Sequence, residues 1–167
     1  DSQECIDFLK EAYYISERFD MPVLFRTTTR ISHSKSLVTF GEREEQPVTP
    51  YQRRTEKFVS SPAAAYLHHP ELEEKLRRLE AYGRTCPLNR MEMKGSKVGV
   101  ITASIAYQYA KDVFPEDTSF LKLGLTYPLP MDLIREFASQ VEKLYVVEEL
   151  EPFMEEQIRA AGIPCQG

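Results

Sequence analysis

The sequence of 167 residues has few of the features that announce a chemistry. Its three cysteines, Cys5, Cys86 and Cys165, lie far apart, with no CxxC pair and no Cys/His pair at metal-ligand spacing. An iron–sulfur cluster or a zinc ion therefore has no ligand set to read. The odd number of thiols fits a reducing compartment, so a cytoplasmic location is expected. Positive charge is not in excess: 21 Lys and Arg stand against 26 Asp and Glu, a net charge of −5. Nothing in that balance favours nucleic acid. The longest stretch without charge, Val98–Ala110, falls short of the about 20 residues that a membrane-spanning helix takes. There is no GxSxG, and nothing pairs the three histidines with a nucleophile, so a stand-alone hydrolase fails. The chain does not start with Met, and Asp1-Ser2 already reads as a helix cap. It is expected to begin and end inside a longer protein.

What is present reads as two unlike halves. Asp1 or Ser2 caps a predicted helix running to about Glu17. Its apolar positions Phe8, Ala12, Ile15 and Phe19 step by four, three and four, and Ile6, Leu9 and Tyr13 widen that face. Met21-Pro22 then turns the chain into a predicted strand, Val23 to about Thr28. One helix and one strand make no core, so this unit must pack on something else. From Gly41 to about Lys94 the chain is polar and charged and reads as an extended connector. It carries one predicted helix, Pro70 to Tyr82, with Pro at its first position, Gly83 at its stop, and Leu72, Leu76 and Leu79 as a narrow stripe. In this reading "YLHHP" is a loop before Pro70.

From Ser96 the rhythm changes. "KVGVITAS", "TSFLKLGL" and "KLYVVEE" are strands, with helices in "SIAYQYAKDV", "YPLPMDLIREFASQVEKL" and "EPFMEEQIRAAG". Ser104 is a candidate cap, Pro130 and Pro152 stand at helix starts, and Gly162 stands at a stop. "IPCQG" begins another extended piece. Strands alternating with helices mean a parallel sheet with right-handed crossovers. Unalternated apolar runs mean strands buried on both faces. The fold class is α/β.

Three stretches compete as sites. "FRTTTRISHS" leaves the end of the Val23 strand, where ligands collect in open α/β sheets. Arg30 suits a carboxylate or phosphate, Thr28, Thr29 and Ser32 offer hydroxyls, and His33 suits proton transfer. Threonine is also a good strand former, and Arg and His at a strand end often make salt bridges or caps. That structural reading weighs more, because no spacing here is diagnostic. "VVEELEPFMEE" holds five glutamates between Glu148 and Glu156. Glu149 and Glu151 are read as acids at the start of the last helix, favoured by its partial positive charge, rather than as metal ligands. "ITASIAYQYA" passes from strand to helix, where phosphates bind, but lacks the glycines that let a backbone approach pyrophosphate.

"DSQECIDFLKEAYYISERFDMPVLFRTTTRISHS" and "VGVITASIAYQYAKDVFPEDTSFLKLGLTYPLPMDLIREFASQVEKLYVVEELEPFMEEQI" together resemble alpha subunits of the indolepyruvate type. These subunits fall in the thiamine-diphosphate-dependent 2-oxoacid:ferredoxin oxidoreductase family. The resemblance implies three parts: residues 1–45 as the last helix and strand of a pyrimidine-binding domain, 46–94 as a connector, and 95–167 as a transketolase C-terminal-like domain. It implies a parent enzyme that oxidatively decarboxylates aryl pyruvates, with ferredoxin as acceptor, coenzyme A as co-substrate, a small beta subunit as partner, and assembly as an oligomer. Thiamine diphosphate, magnesium and 4Fe-4S clusters belong to that parent. This chain is expected to bind none of them, to hold no catalytic residue and to act as scaffold. Thr28, Arg30, Ser32 and His33 would lie at the edge of a shared pocket. The competing reading is an independent, doubly wound binding module, which lacks an acidic triad and a flavin or phosphate loop and leaves the first helix and strand without a sheet.

Overall fold

A computed structural model describes residues 1–45, 47–48, 50–59 and 61–167. Seven helices and four strands follow in the order α1 (Ser2–Phe19), α2 (Thr29–His33), α3 (Thr55–Phe58), α4 (Pro62–Gly83), β1 (Arg90–Glu92), β2 (Val98–Ala103), α5 (Ala106–Val113), β3 (Ser119–Leu123), α6 (Met131–Ala138), β4 (Lys143–Val147) and α7 (Phe153–Ala160) among the described residues. The three predicted strands of the second half are all present. With β1 they form one sheet in the order β1-β3-β2-β4, with β2 parallel to both β3 and β4 and β1 antiparallel on β3.

Burial follows from the apolar runs. β3 is buried at all five positions and β2 at its central four. One face of the sheet presents Ile101, Leu121, Leu123, Leu144 and Val146 to Leu133, Ile134 and Phe137 of α6 and to Met154 and Ile158 of α7. The other face presents Val100 and Phe120 to Tyr107 and Ala110 of α5. The two-sided wrapping has a geometric cause. β3 lies on one side of β2 and β4 on the other, and right-handed crossovers to opposite sides must cover opposite faces. β4 gains a further neighbour at Gln166, whose N–H donates to the Leu144 carbonyl at 2.9 Å while its own carbonyl accepts from Val146 N–H at 2.7 Å. The extended reading of "IPCQG" ends in this contact. β1 has no counterpart in the sequence reading, because three residues are too few to show a period.

The first half departs from expectation in three places. α1 is capped as expected, with the Asp1 side chain accepting from Glu4 N–H in a capping box. Ala12, Ile15 and Phe19 are buried, but Leu9 and Tyr13, assigned to the same face, are exposed. Val23 to Thr28 is not a strand. Val23, Leu24 and Phe25 are exposed, and no strand of the sheet lies beside them to accept a ladder. Apolar, β-prone residues do not form a strand without a partner. Finally, the helix assigned to Pro70–Tyr82 begins at Pro62, capped by Ser61, whose hydroxyl accepts from Ala64 N–H at 3.2 Å. The rule that Pro favours a first turn was sound but chose the wrong proline. Pro70 lies inside α4, so His68 and His69 are helical rather than in a loop.

α1 and α4 share a small core of Ile15, Phe19, Leu79 and Cys86, joined by Leu88 and Leu125 from the sheet's loops. The docking is close at two glycines. A Cβ on Gly83 would meet Pro130 Cβ at 2.9 Å, and one on Gly124 would meet the Leu88 carbonyl oxygen at 2.5 Å. Phe8 of α1 also meets Gly124, at 2.9 Å from where a Cβ would stand, which lays α1 across the carboxyl edge of the sheet.

Candidate functional site

β2, β3 and β4 run parallel, so their carboxyl ends share one edge. From β2 the chain passes to one side, and from β3 it jumps over β2 to the other. Loops that diverge in this way leave a crevice between them. A groove of about 860 Å³ lies there. Ser104 and Ile105 after β2, Leu125 after β3, and Glu148 and Leu150 after β4 line it, and α1 with Met21–Thr28 forms its outer wall. Ser104 (φ 55°) and Leu150 (φ 66°) hold left-handed conformations that favour glycine. Such strain persists only where surrounding structure enforces it, and it concentrates at binding clefts.

The inner end of the groove holds Lys122, 6% exposed, on the fully buried strand β3. Its ammonium pairs with the Glu4 carboxylate of α1 and lies 4.9 Å from the centre of the Tyr107 ring. The Tyr107 hydroxyl accepts from Arg90 Nη2 and from Lys111 Nζ, each at 2.9 Å, and donates to Glu92 Oε1 at 2.7 Å. Burial pushes the Glu92 carboxyl up. The bonds from Tyr107 and Lys111 and the Arg90 charge outweigh it, so the group sits below its ordinary value. Glu4 behaves likewise: burial opposes its charge, and the bond and charge of Lys122 win, leaving it lowered.

The stretch Phe25–Ser34 reaches the groove, though mostly through residues other than the four candidates. Phe25 to Thr28 and Ile31 line it. "TRISH" is the one-turn helix α2, with Thr28 as its cap. Ser32 donates to the Thr28 carbonyl at 3.1 Å and shares a 2.9 Å bond with the Thr27 hydroxyl. The Arg30 guanidinium lies over the Tyr109 ring at 5.8 Å, on α5. Of Thr28, Arg30, Ser32 and His33, only Thr28 is on the groove wall.

The acidic stretch resolves differently from its reading. Glu148, not Glu149 or Glu151, serves the last helix. Its carboxylate accepts from Met154 N–H at 2.8 Å and from Glu155 N–H at 3.0 Å, satisfying α7's first turn. Glu149 and Glu151 are exposed. Among the described residues no group of three or more His, Cys, Asp or Glu is gathered as a metal would need. Ser104 does not cap α5, whose cap residue is Ile105 without a side-chain bond. Cys86 is buried, and that burial foremost pushes its thiol up.

Sequence reasoning passed over Lys122. Its signal was a lone cation inside "SFLKLGL", a run otherwise read as buried on both faces. A lysine there needs a partner. The partner comes from a helix 118 positions away, which no local pattern reveals.

A doubly wound α/β unit with its cleft at the strand ends is what fold and groove define. No family model matches the chain. It is, however, homologous to one segment of the indolepyruvate oxidoreductase subunits named IorA. Identity is 40% with that of Methanothermobacter marburgensis, over 96% of this chain and 27% of the relative. With Methanothermobacter thermautotrophicus it is 37%, over 97% and 27%. With Thermococcus kodakarensis it is 36%, over 93% and 26%. The chain thus spans about a quarter of the length of the curated relatives it matches. A solved 2-oxoglutarate:ferredoxin oxidoreductase from Magnetococcus marinus, with 2-oxoglutarate, coenzyme A and succinyl-CoA bound, is 20% identical. It covers 61% of this chain and 19% of that one at a TM-score of 0.43, too loose a likeness to place any residue.

Proposed function

We propose that the chain is part of the alpha subunit of a thiamine-diphosphate-dependent oxidoreductase acting on aryl pyruvates such as indolepyruvate. One observation carries this: identity of 32–40% along nearly the whole chain to six subunits that all bear the indolepyruvate oxidoreductase name. In the proposal the whole enzyme oxidatively decarboxylates its substrate, passes electrons through iron–sulfur clusters to ferredoxin and delivers the acyl group to coenzyme A. It works with a small beta subunit, as an oligomer, in the cytoplasm. No helix among the described residues is long and apolar enough to cross a membrane.

The residues present do not fit the metal groups of that chemistry. Cys5, Cys86 and Cys165 are free and are not gathered into a cluster's ligand set. No carboxylate group among the described residues is assembled for magnesium. The proposal assigns thiamine diphosphate, its metal and the clusters to the remainder of the subunit. Within the proposed enzyme, residues 1–45 finish the pyrimidine-binding domain, 46–94 connect, and 95–167 form the scaffold domain. Thr28, Arg30, Ser32 and His33 stand at the edge of a pocket completed by other parts.

The test compares the full-length protein with its partner subunit against these 167 residues alone. Indolepyruvate-driven, thiamine-dependent reduction of a viologen dye is expected from the former and not from the latter. Turnover or thiamine diphosphate binding by the 167 residues would overturn the scaffold role. A full-length enzyme inert toward every aryl 2-oxoacid would overturn the substrate.

A further inference from the structure

We propose that the inner end of the groove, at Lys122, binds the carboxylate of a small molecule with an apolar body, and that Glu4 occupies this site in the ligand's absence. The inference does not depend on the proposed function; it rests on four observations.

The first is charge. Three cations surround Tyr107, namely Arg90, Lys111 and Lys122, and the sheet with its own helix supplies one carboxylate among them, Glu92. The second carboxylate, Glu4, arrives on α1, and its side chain is 35% exposed against 7% for that of Lys122. The buried partner belongs to the sheet and the half-solvated one does not. Glu4 has water to turn into, whereas Lys122 has nowhere to go.

The second is an orphan. Thr102 is the lateral neighbour of Lys122 across the β2–β3 ladder and shares its face of the sheet. It is 0% exposed, and its hydroxyl has no hydrogen-bond partner. The hydroxyl is not on the groove wall, but an unpaired buried group beside Lys122 leaves this part of the sheet under-satisfied.

The third is the mouth. Ser104, exposed and held at a positive φ, and Gln108 on the first turns of α5 line the same groove. Both offer polar atoms to the groove that Lys122 lines, while Phe8, Leu88 and Leu125 offer the apolar wall that an alkyl or ring body needs.

The fourth fixes the charge of the ligand. Glu149 and Glu151 are exposed on the opposite loop, and Glu148 already serves the first turn of α7. A second negative charge on the ligand would face these acids and Asp1, which outnumber Arg26, the other cationic side chain on the groove wall. The site therefore suits a monocarboxylate and disfavours a phosphate dianion or a nucleotide. On binding, the ligand carboxylate takes the ammonium of Lys122, and Glu4 turns the oxygen that paired with it into water while its other oxygen keeps the capping-box bond to the Asp1 nitrogen.

The experiment titrates the chain with butyrate, acetate, 1-butanol and inorganic phosphate, following backbone amide shifts and Tm. Butyrate is expected to bind more tightly than acetate, and 1-butanol and phosphate far more weakly. Shifts should centre on residues 103–108 and 122–125. Glu4→Gln removes the internal competitor and should tighten butyrate by about tenfold or more, the size of one charge-assisted hydrogen bond. It should also make Tm rise with butyrate concentration. Lys122→Met should abolish the response. Butyrate without effect on Glu4→Gln, an undiminished response in Lys122→Met, or 1-butanol or phosphate acting as well as butyrate would each overturn the proposal. Should Lys122→Met fail to fold, the comparison of wild type with Glu4→Gln decides alone.

Discussion

The Glu4–Lys122 pair should respond very unequally to removal of its two halves, with no ligand present. Glu4→Gln leaves a buried ammonium without its counter-charge. Breaking a buried pair in this way costs up to about 3–5 kcal/mol. Here the Gln amide oxygen and the Tyr107 face 4.9 Å away keep part of the solvation, which brings the expected loss to about 2–3 kcal/mol, the range of a hydrogen bond to a charged group. Lys122→Met removes the buried charge and conserves volume, and the Glu4 side chain, 35% exposed, rehydrates. That change should cost about 1 kcal/mol or less. Urea unfolding of both variants measures the difference directly. At about 2–4 °C per kcal/mol for a chain of this size, Glu4→Gln should lower Tm by about 4–12 °C. The pair also carries a pH dependence. The Glu4 carboxyl is lowered in the folded state from 4.5. Its stabilisation is therefore present above that value and is lost as pH falls through the lowered one. Equal losses from the two variants, or a larger loss from Lys122→Met, would refute the assignment of Lys122 as the buried, dependent member.

Other outcomes follow from single contacts. Phe137 is fully buried between α6 and the sheet, so Phe137→Ala should cost about 3–5 kcal/mol in urea unfolding. Glu148→Ala removes the acceptor for two amides of α7, and a loss of about 1–2 kcal/mol is expected, with faster exchange of Met154 and Glu155 amides. Gly124→Ala sets a Cβ against the Leu88 carbonyl oxygen and should destabilise by about 1–3 kcal/mol, because backbone cannot move aside as a flexible side chain can. His68 is raised above 6.5, foremost by its bond to the Glu56 carbonyl and then by Glu71. Its contribution should be full at low pH and lost as pH rises through the raised value, which an NMR titration of its ring protons reads directly.

Legibility divided the chain where packing did. The three apolar runs after Ser96 name their strands because each is buried by helices close in sequence. Their parallel order and the crevice at their ends follow from crossover handedness. Val23–Thr28 misled because β-propensity describes a surface to be covered, not a strand. Leu9 and Tyr13 misled because periodicity gives a face but not whether a neighbour meets all of it. At the groove, "FRTTTRISHS" is read from the end of a strand that does not form, and of its four candidates only Thr28 is on the wall. Lys122 and Glu4 are a tertiary pair, and only the oddity of a lysine in a buried strand pointed toward it.

The same division predicts where the molecule opens. Leu24, Leu37, Phe40, Val48, Tyr51 and Tyr66 are each more than 80% exposed, and all lie between residues 24 and 66. The buried core is instead drawn from α1, the end of α4 and residues 86–163. Local opening costs little where few apolar contacts are lost. α1 should therefore behave with the sheet rather than with the segment that follows it. Its buried Ile15 and Phe19 pack on Leu79 and Cys86, and Glu4 pairs with Lys122. The chain after it does not share that anchoring: within the described residues, no amide from Val23 to Thr28 donates to a backbone carbonyl. Amide exchange should then fall in three tiers: slow in β2 and β3, intermediate in α1 from Phe8 to Phe19, and fast from Val23 to Thr28. Residues 8–19 exchanging as fast as 23–28 would mean that α1 is not docked, and both the groove wall and the Lys122 pairing would fall with it.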